Sequence, residues 1–317
     1  MRTGSSVLLL LVGCGFATGA AGEDYDFQVG LTYGWAQLDS TSVSTLGGVP
    51  DPSLGTTTTS SDSDDIGLSG AWYYSGLSDA NGPKSRASFM SRASGFFVSY
   101  SRGDESTTTE FSGGGIIPPQ TVRSDGTSTE VSLDFRHVWK DSGWYALAGA
   151  SRSELDVDIM LSGGEPAFVK FDANGYRLGV GKYIGKATSL DLAITTLDVG
   201  SSNPTVVALS FSHIGSIGAN WQYGADVTFA KSDTGGDGDA FALRGALFPS
   251  ESIEFGLVFA RQEPNDGFEV DTIEVFGGWF VRDNVEVTAL YRLDDPDTFP
   301  GQDVDSDEFG VGVAVRF

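Results

Sequence analysis

Tyr25-Asp26-Phe27-Gln28-Val29-Gly30-Leu31-Thr32-Tyr33-Gly34-Trp35 carries a large apolar side chain at every odd position and Asp, Gln, Gly or Thr at every even one. Successive side chains of a strand point to opposite faces, so this period of two makes one face apolar along its whole length and leaves the other small or polar. A helix would scatter the same residues around its circumference. The last residues repeat the pattern in Phe309-Gly310-Val311-Gly312-Val313-Ala314-Val315-Arg316-Phe317. Between the two, the apolar faces include Ile66/Leu68/Trp72/Tyr74, Phe96/Val98/Tyr100, Val131/Leu133/Phe135/Trp139, Tyr145/Leu147/Leu155/Val157/Ile159 and Tyr176/Leu178/Val180. Further faces follow down to Val285/Val287/Ala289/Tyr291, and the count of such stretches is fourteen.

Composition narrows the function classes. Acidic residues number 43 against 19 basic, a formal charge of −24, and a nucleic-acid partner is excluded because a phosphate backbone needs a basic face. No apolar run reaches the roughly 20 residues of a spanning helix. The longest is Val7 to Val12, which with Arg2 before it and the small residues Ala17 to Gly22 after it reads as an export signal over residues 1–22. Residues 23–317 then form a single domain, and the only cysteine, Cys14, leaves with the signal. In the rival reading Leu11-Val12-Gly13-Cys14 is a lipobox, and Cys14 carries lipid.

Connections alternate in length. Lys140 to Gly143, Ile184 to Ala187, Ile214 to Ser216, Pro249 to Ser252 and Arg282 to Asn284 are rich in turn formers, whereas Asp39 to Asp65, Arg102 to Gly126, Lys231 to Asp239, Gln262 to Gly267 and Asp294 to Glu308 are longer and acidic. Short turns at one end, long loops at the other and strands of about ten alternating residues predict an all-β fold, an antiparallel up-and-down transmembrane barrel. About fourteen strands are expected, with twelve and sixteen as alternatives, joined by short periplasmic turns and long acidic extracellular loops. Two connections depart from the rule: Ser201 to Pro204 is short where a loop is due, and Gly76 to Arg92 is long where a turn is due.

In such a barrel the apolar face meets lipid and the polar face meets water, since closure satisfies every backbone hydrogen bond. Trp72, Trp139, Trp144, Trp221 and Trp279 fall near the periplasmic strand ends and Trp35 near the opposite interface, as an aromatic girdle requires. The bacterial outer membrane is the expected location. The terminal Phe317 resembles the C-terminal signal that barrel-insertion machinery recognises, and outer-membrane lipid and lipopolysaccharide are the expected neighbours. A homo-oligomer is left open.

The run Tyr73-Tyr74-Ser75-Gly76-Leu77 through Asn81-Gly82-Pro83, then Ala87-Ser88-Phe89 and the strand Gly95 to Tyr100, resembles a porin family of Gram-negative bacteria. Gly143-Trp144-Tyr145 and Gly179-Val180-Gly181-Lys182-Tyr183 are similar too. That resemblance spans most of the mature chain. It implies a porin-like barrel with no catalytic residues, and it makes the long Gly76 to Arg92 connection a family feature.

By opposite parity the lumen is expected to carry Asp26, Glu130, Asp134, Glu154, Asp156, Asp226, Glu254, Glu274 and Glu286 against Arg136, Arg152, Arg177, Arg244, Arg292 and Arg316. The other inward positions are small, among them Gly30, Gly34, Ala146, Ala148, Ala208, Ser210, Gly224 and Gly256. Fourteen strands with such a lining predict a narrow aqueous pore, and the excess of acids predicts a modest cation preference. The constricting element is expected in Arg102 to Gly126, whose Phe111 to Pro119 segment is apolar and glycine-rich. The competing expectation is a lumen closed by paired charges, with a structural or surface role for the acidic loops. His137 and His213 fall on lipid-facing parity, so no catalytic dyad is expected, and neither a metal site nor a cofactor is expected.

Overall fold

The computed structural model describes residues 25–43, 45–46, 49–50, 55–77, 83–113, 120–161, 166–199, 203–218, 221–233, 238–263, 269–296 and 302–317. The export signal, Cys14 and residues 114–119 lie outside them.

Fourteen strands close into one barrel. These are β1 (Tyr25–Val43), β4 (Gly55–Leu77), β5 (Gly95–Gly113), β6 (Gln120–Trp139), β7 (Trp144–Leu161), β8 (Ala167–Tyr183), β9 (Thr188–Asp198), β10 (Thr205–Ile217), β11 (Trp221–Ser232), β12 (Gly238–Ser250), β13 (Ile253–Glu263), β14 (Val270–Arg282), β15 (Val285–Pro296) and β16 (Gln302–Arg316). Every pairing is antiparallel between sequence neighbours, and β16 closes on β1 with Val29 opposite Val315 and Trp35 opposite Phe309. Two short strands, β2 (Thr45–Leu46) and β3 (Val49–Pro50), form a separate ribbon.

The apolar face points outward. Phe27, Val29, Leu31, Leu68, Val98, Leu133, Leu178, Leu209, Phe229, Leu257, Val275 and Val313 are all exposed, an arrangement that only a hydrocarbon solvent stabilises. Trp72, Trp139, Trp144, Trp221 and Trp279 are exposed at the end of the barrel that holds both the N-terminal strand start and Phe317. This end, with its short turns, is the periplasmic one. Trp35 lies at the far end of the apolar stretch of β1.

Strand length divides the wall. β1 and β4 to β8 run 17 to 23 residues, whereas β9 to β15 run 11 to 13. The long acidic loops expected over 39–65 and 102–126 are therefore mostly strand. Threonine favours a pleated backbone, and hydroxyls pair across strands, Thr59 with Thr109 at 3.1 Å and Ser61 with Thr107 at 2.9 Å. Above the lipid nothing demands an apolar outer face, so the alternation fades while the pairing continues.

Candidate functional site

The lumen is built from its periplasmic end upward. Residues 83–94 do not bridge β4 and β5 outside the barrel; they fold into it, as a 3-10 turn (Lys84–Arg86) followed by the short helix α1 (Ala87–Met90), and Pro83 to Phe89 are all buried. Phe89 packs on Val138, Tyr145, Tyr183 and Ile214, residues of four different strands. Tyr73, Leu77 and Ala93 form a second apolar cluster beside it. Polar ties complete the docking. The Lys84 amide donates to the Glu251 carbonyl at 2.8 Å, and the Arg136 guanidinium donates to the carbonyls of Ala93 at 3.0 Å and Ser88 at 3.3 Å. Lys84 pairs with Asp283 at 2.6 Å and Arg86 with Asp226 at 2.6 Å. The segment thus spans from one wall to the other across the periplasmic mouth. It takes the constricting place expected of Arg102 to Gly126, whose residues 102–113 and 120–126 stand in β5 and β6 instead.

The inward segment also explains an error of parity. Tyr145 and Leu147 alternate as lipid-facing residues would, yet both face inward: Tyr145 is buried, its hydroxyl donates to the Asp191 carboxylate at 2.9 Å, and a side chain at Gly181 would collide with its ring. They are apolar because they receive Phe89. The same parity continues up β7, so Arg152, Glu154 and Asp156 lie on the outer face and not in the lumen. There Arg152 pairs with Glu154 at 2.5 Å, and Lys170 bridges Glu154 and Asp156 at 3.4 Å each. Ala146 and Ala148, expected inside, are outward as well, paired with the outward His137 and Phe135.

On β11 to β16 every inward arginine meets a carboxylate. Arg86, Asp226, Arg244 and Glu254 form a chain of ion pairs at 2.6, 3.5 and 2.7 Å. Arg292 lies 3.7 Å from Glu274 and 2.7 Å from Glu308. Arg316 pairs with Glu286 at 3.3 Å, the two side chains being 1% and 2% exposed. Inward phenylalanines flank two of these cations, Phe276 beneath Arg244 and Phe280 beneath Arg316, each at 4.3 Å. At the periplasmic rim, outside the spanning segments, the Lys84 ammonium holds the Asp283 carboxyl below the usual carboxylate range.

On β4 to β9 the inward charges are mostly acidic. Glu130 and Asp134 stand on β6 and Arg177 opposite Gly149, and no ion pair within 4 Å joins Glu130 or Asp134 to a cation among the described residues. Asp26 sits at the exposed periplasmic edge, its amide bonded to the Phe317 carbonyl at 3.1 Å. Sequence reasoning missed Asp65, Asp191, Asp294 and Glu308 on the inner wall and the cations Lys84 and Arg86 that reach it from the connection. Asp191, between Leu190 and Leu192, carried a readable signal; Asp65 and Glu308 sit just beyond the last apolar residue of their strands, where the period is lost.

A closed sheet with lipid-facing side chains outside and charged side chains inside is the architecture of a membrane-spanning barrel. Two solved structures share it. Outer membrane protein Omp33 of Acinetobacter baumannii is 16% identical with a TM-score of 0.51, the match covering 93% of this chain and 99% of that one. A TodX deletion mutant, a monoaromatic hydrocarbon channel, is 11% identical with a TM-score of 0.59, covering 93% and 91%. This is the fold of bacterial outer-membrane β-barrels. No family model matches the chain, and no curated protein does. The barrel therefore shares its architecture with these two proteins at an identity that speaks for the fold alone. His137 and His213 both lie on its outer surface, bonded to Tyr74 at 2.6 Å and Thr188 at 2.8 Å, away from the lumen.

Proposed function

We propose that the barrel is a porin-like channel of the outer membrane, narrowed at its periplasmic end by residues 83–94, that passes small hydrophilic solutes with a mild preference for cations. One observation carries the reading: the inward arginines of β11 to β16 are each matched by carboxylates, and on the opposite wall Asp65, Glu105, Glu130, Asp134 and Asp191 outnumber Arg136 and Arg177, so the lumen keeps an acidic excess. Fixed carboxylates in a confined, water-filled path raise the local cation concentration. In the same reading the outward Trp rings anchor the headgroup boundaries, Phe317 presents the insertion signal, and lipopolysaccharide surrounds the extracellular belt.

The test is single-channel recording from the purified barrel in a planar bilayer under a potassium chloride gradient. Stable steps with a cation-favouring reversal potential are expected, and Glu130→Gln with Asp134→Asn should move that potential towards zero. A reversal potential that favours chloride would overturn the charge argument.

A second reading is favoured by the docking of the inward segment on both walls, through Arg86 to Asp226 and Phe89 to Tyr183. In it the lumen is closed and the extracellular wall acts as an interaction surface. Folded wild-type protein without current, together with current after residues 84–92 are replaced by a glycine-serine linker, would select this reading.

A further inference from the structure

Above the lipid, β8 reverses its polarity. Within the membrane Tyr176, Leu178 and Val180 face outward, whereas higher up Lys170 and Asp172 face outward and Val169 and Phe171 face the lumen. β7 contributes Leu155, Val157 and Ile159 to the same inner face, fixed by register: Leu155 opposite Ser128 and Phe171, Val157 opposite Gly126 and Val169. A side chain at Gly126 would meet Val157 at 3.7 Å and Leu155 at 3.9 Å, so glycine leaves the floor between β5 and β7 open. The Phe171 ring, which no lipid reaches, is 53% exposed inside the vestibule. An uncovered apolar patch facing water is a binding surface more often than an accident.

The other side of that open floor is acidic. Glu105 lies in the Gly126 and Val157 row, on the strand before, and Asp65 lies in the row of Ser128 and Leu155. Glu130 stands one inward position below Ser128, opposite Ser153. Ser61 and Thr107 hold the Glu105 carboxylate by hydrogen bonds of 2.8 and 3.0 Å. Strands are about 4.8 Å apart, so Glu105 and Val157 are separated by roughly 10 Å across the glycine floor.

We propose that this corner of the vestibule binds an organic cation with an apolar body, a protonated or quaternary amine bearing an aromatic or alkyl group. Its hydrophobic part lies on Phe171, Val157 and Leu155, and its charge faces Glu105 and Glu130. An aromatic face and carboxylates both attract a weakly hydrated cation, whereas an anion meets the acids and a bare metal ion has no use for the apolar side. The site deepens the cation-preferring channel reading by naming its solute class, and its transport role rests on that reading.

The test uses the full barrel in neutral-lipid nanodiscs, with empty nanodiscs subtracted. Binding of benzyltrimethylammonium is measured by equilibrium dialysis against tetramethylammonium, which lacks the ring, and benzyl alcohol, which lacks the charge. The same three probes are then applied as blockers of potassium current in a planar bilayer. Saturable benzyltrimethylammonium binding is expected, weakened about tenfold or more by Phe171→Ser with Val157→Ser and to a similar degree by Glu105→Gln with Glu130→Gln. These positions lie above the lipid belt or on the water-filled face, and an unheated gel verifies that each variant is folded. Equal binding of tetramethylammonium or of benzyl alcohol, or unchanged binding by both double variants, would overturn the site. A conducting barrel without saturable binding sinks the site and leaves the channel; a silent barrel that binds the probe in a Phe171-dependent manner sinks the channel and leaves the site.

Discussion

The two arcs of this barrel meet water and lipid by different means. From β10 to β15 the strands end with the lipid belt: Val207, Leu209 and Phe211 outside, and inside a chain of ion pairs laid over phenylalanine rings. From β4 to β8 the strands continue past the belt, with hydroxyl–carboxylate bonds and ion pairs outside and hydroxyl pairs, acids and an apolar patch within. The same period of two thus encodes two solvents. Where lipid is outside, the apolar parity faces out on every strand but β7, whose Tyr145 receives the inward segment; where water bathes both faces, the apolar parity turns in or disappears.

The hardest blow to the shorter arc is expected from its buried ion pair. Glu286→Ala strands the Arg316 guanidinium in a site where both groups are almost inaccessible, and should cost about 3 to 5 kcal/mol in denaturant unfolding from lipid vesicles. Glu286→Ala combined with Arg316→Met should recover much of that loss; no recovery would mean that the pair serves packing and not charge balance.

The edge of the lipid belt can be located along β6 alone. Leu133→Arg places a charge on the outward face beside Phe135 and should cost about 2 to 4 kcal/mol, whereas Thr127→Arg, three outward positions higher, should stay within about 0.5 kcal/mol. Equal costs in the same unfolding assay would erase the distinction between the arcs.

Arg86→Gln removes one end of the chain through Asp226 and Arg244 and should weaken the docking of the inward segment by about 1.5 to 3 kcal/mol. Single-channel recording should show larger or noisier current steps. Unaltered steps would assign the constriction to the wall itself.

The smallest effect is expected at the rim. Because Lys84 depresses the Asp283 carboxyl, the tie is present above the ordinary carboxylate pKa of about 3.9 and is lost only as pH falls through the lower folded value. Conductance should therefore not change between pH 7 and 5 on account of this pair, and Asp283→Asn should behave alike across that window. A transition near pH 6 that Asp283→Asn abolishes would contradict the assignment.

Much of this was readable beforehand. Strand number, antiparallel order, the outward face of thirteen strands and the turn positions follow from local alternation and turn chemistry, because a side chain on a strand that crosses lipid has only two directions and one of them must be apolar. Asp134, Arg136, Asp226, Arg244, Glu254, Glu274, Glu286, Arg292 and Arg316 lie inward as their parity requires. β7 was not readable in this way. Tyr145 is apolar for the sake of Phe89, a neighbour in the folded barrel but remote in sequence, and no period within β7 distinguishes a ring that meets lipid from one that meets a plug.

Local alternation, turn residues and charge by themselves determined that the chain is a closed sheet with lipid outside, since those constraints act between residues two apart. Only the tertiary structure decided what fills the barrel. The fold of residues 83–94 into the lumen, the pairing of Arg86 with Asp226 and the apolar corner at Phe171 all depend on groups brought together by closure. Contacts across a lumen join residues that share no period, so their energy leaves no mark on the pattern of either strand.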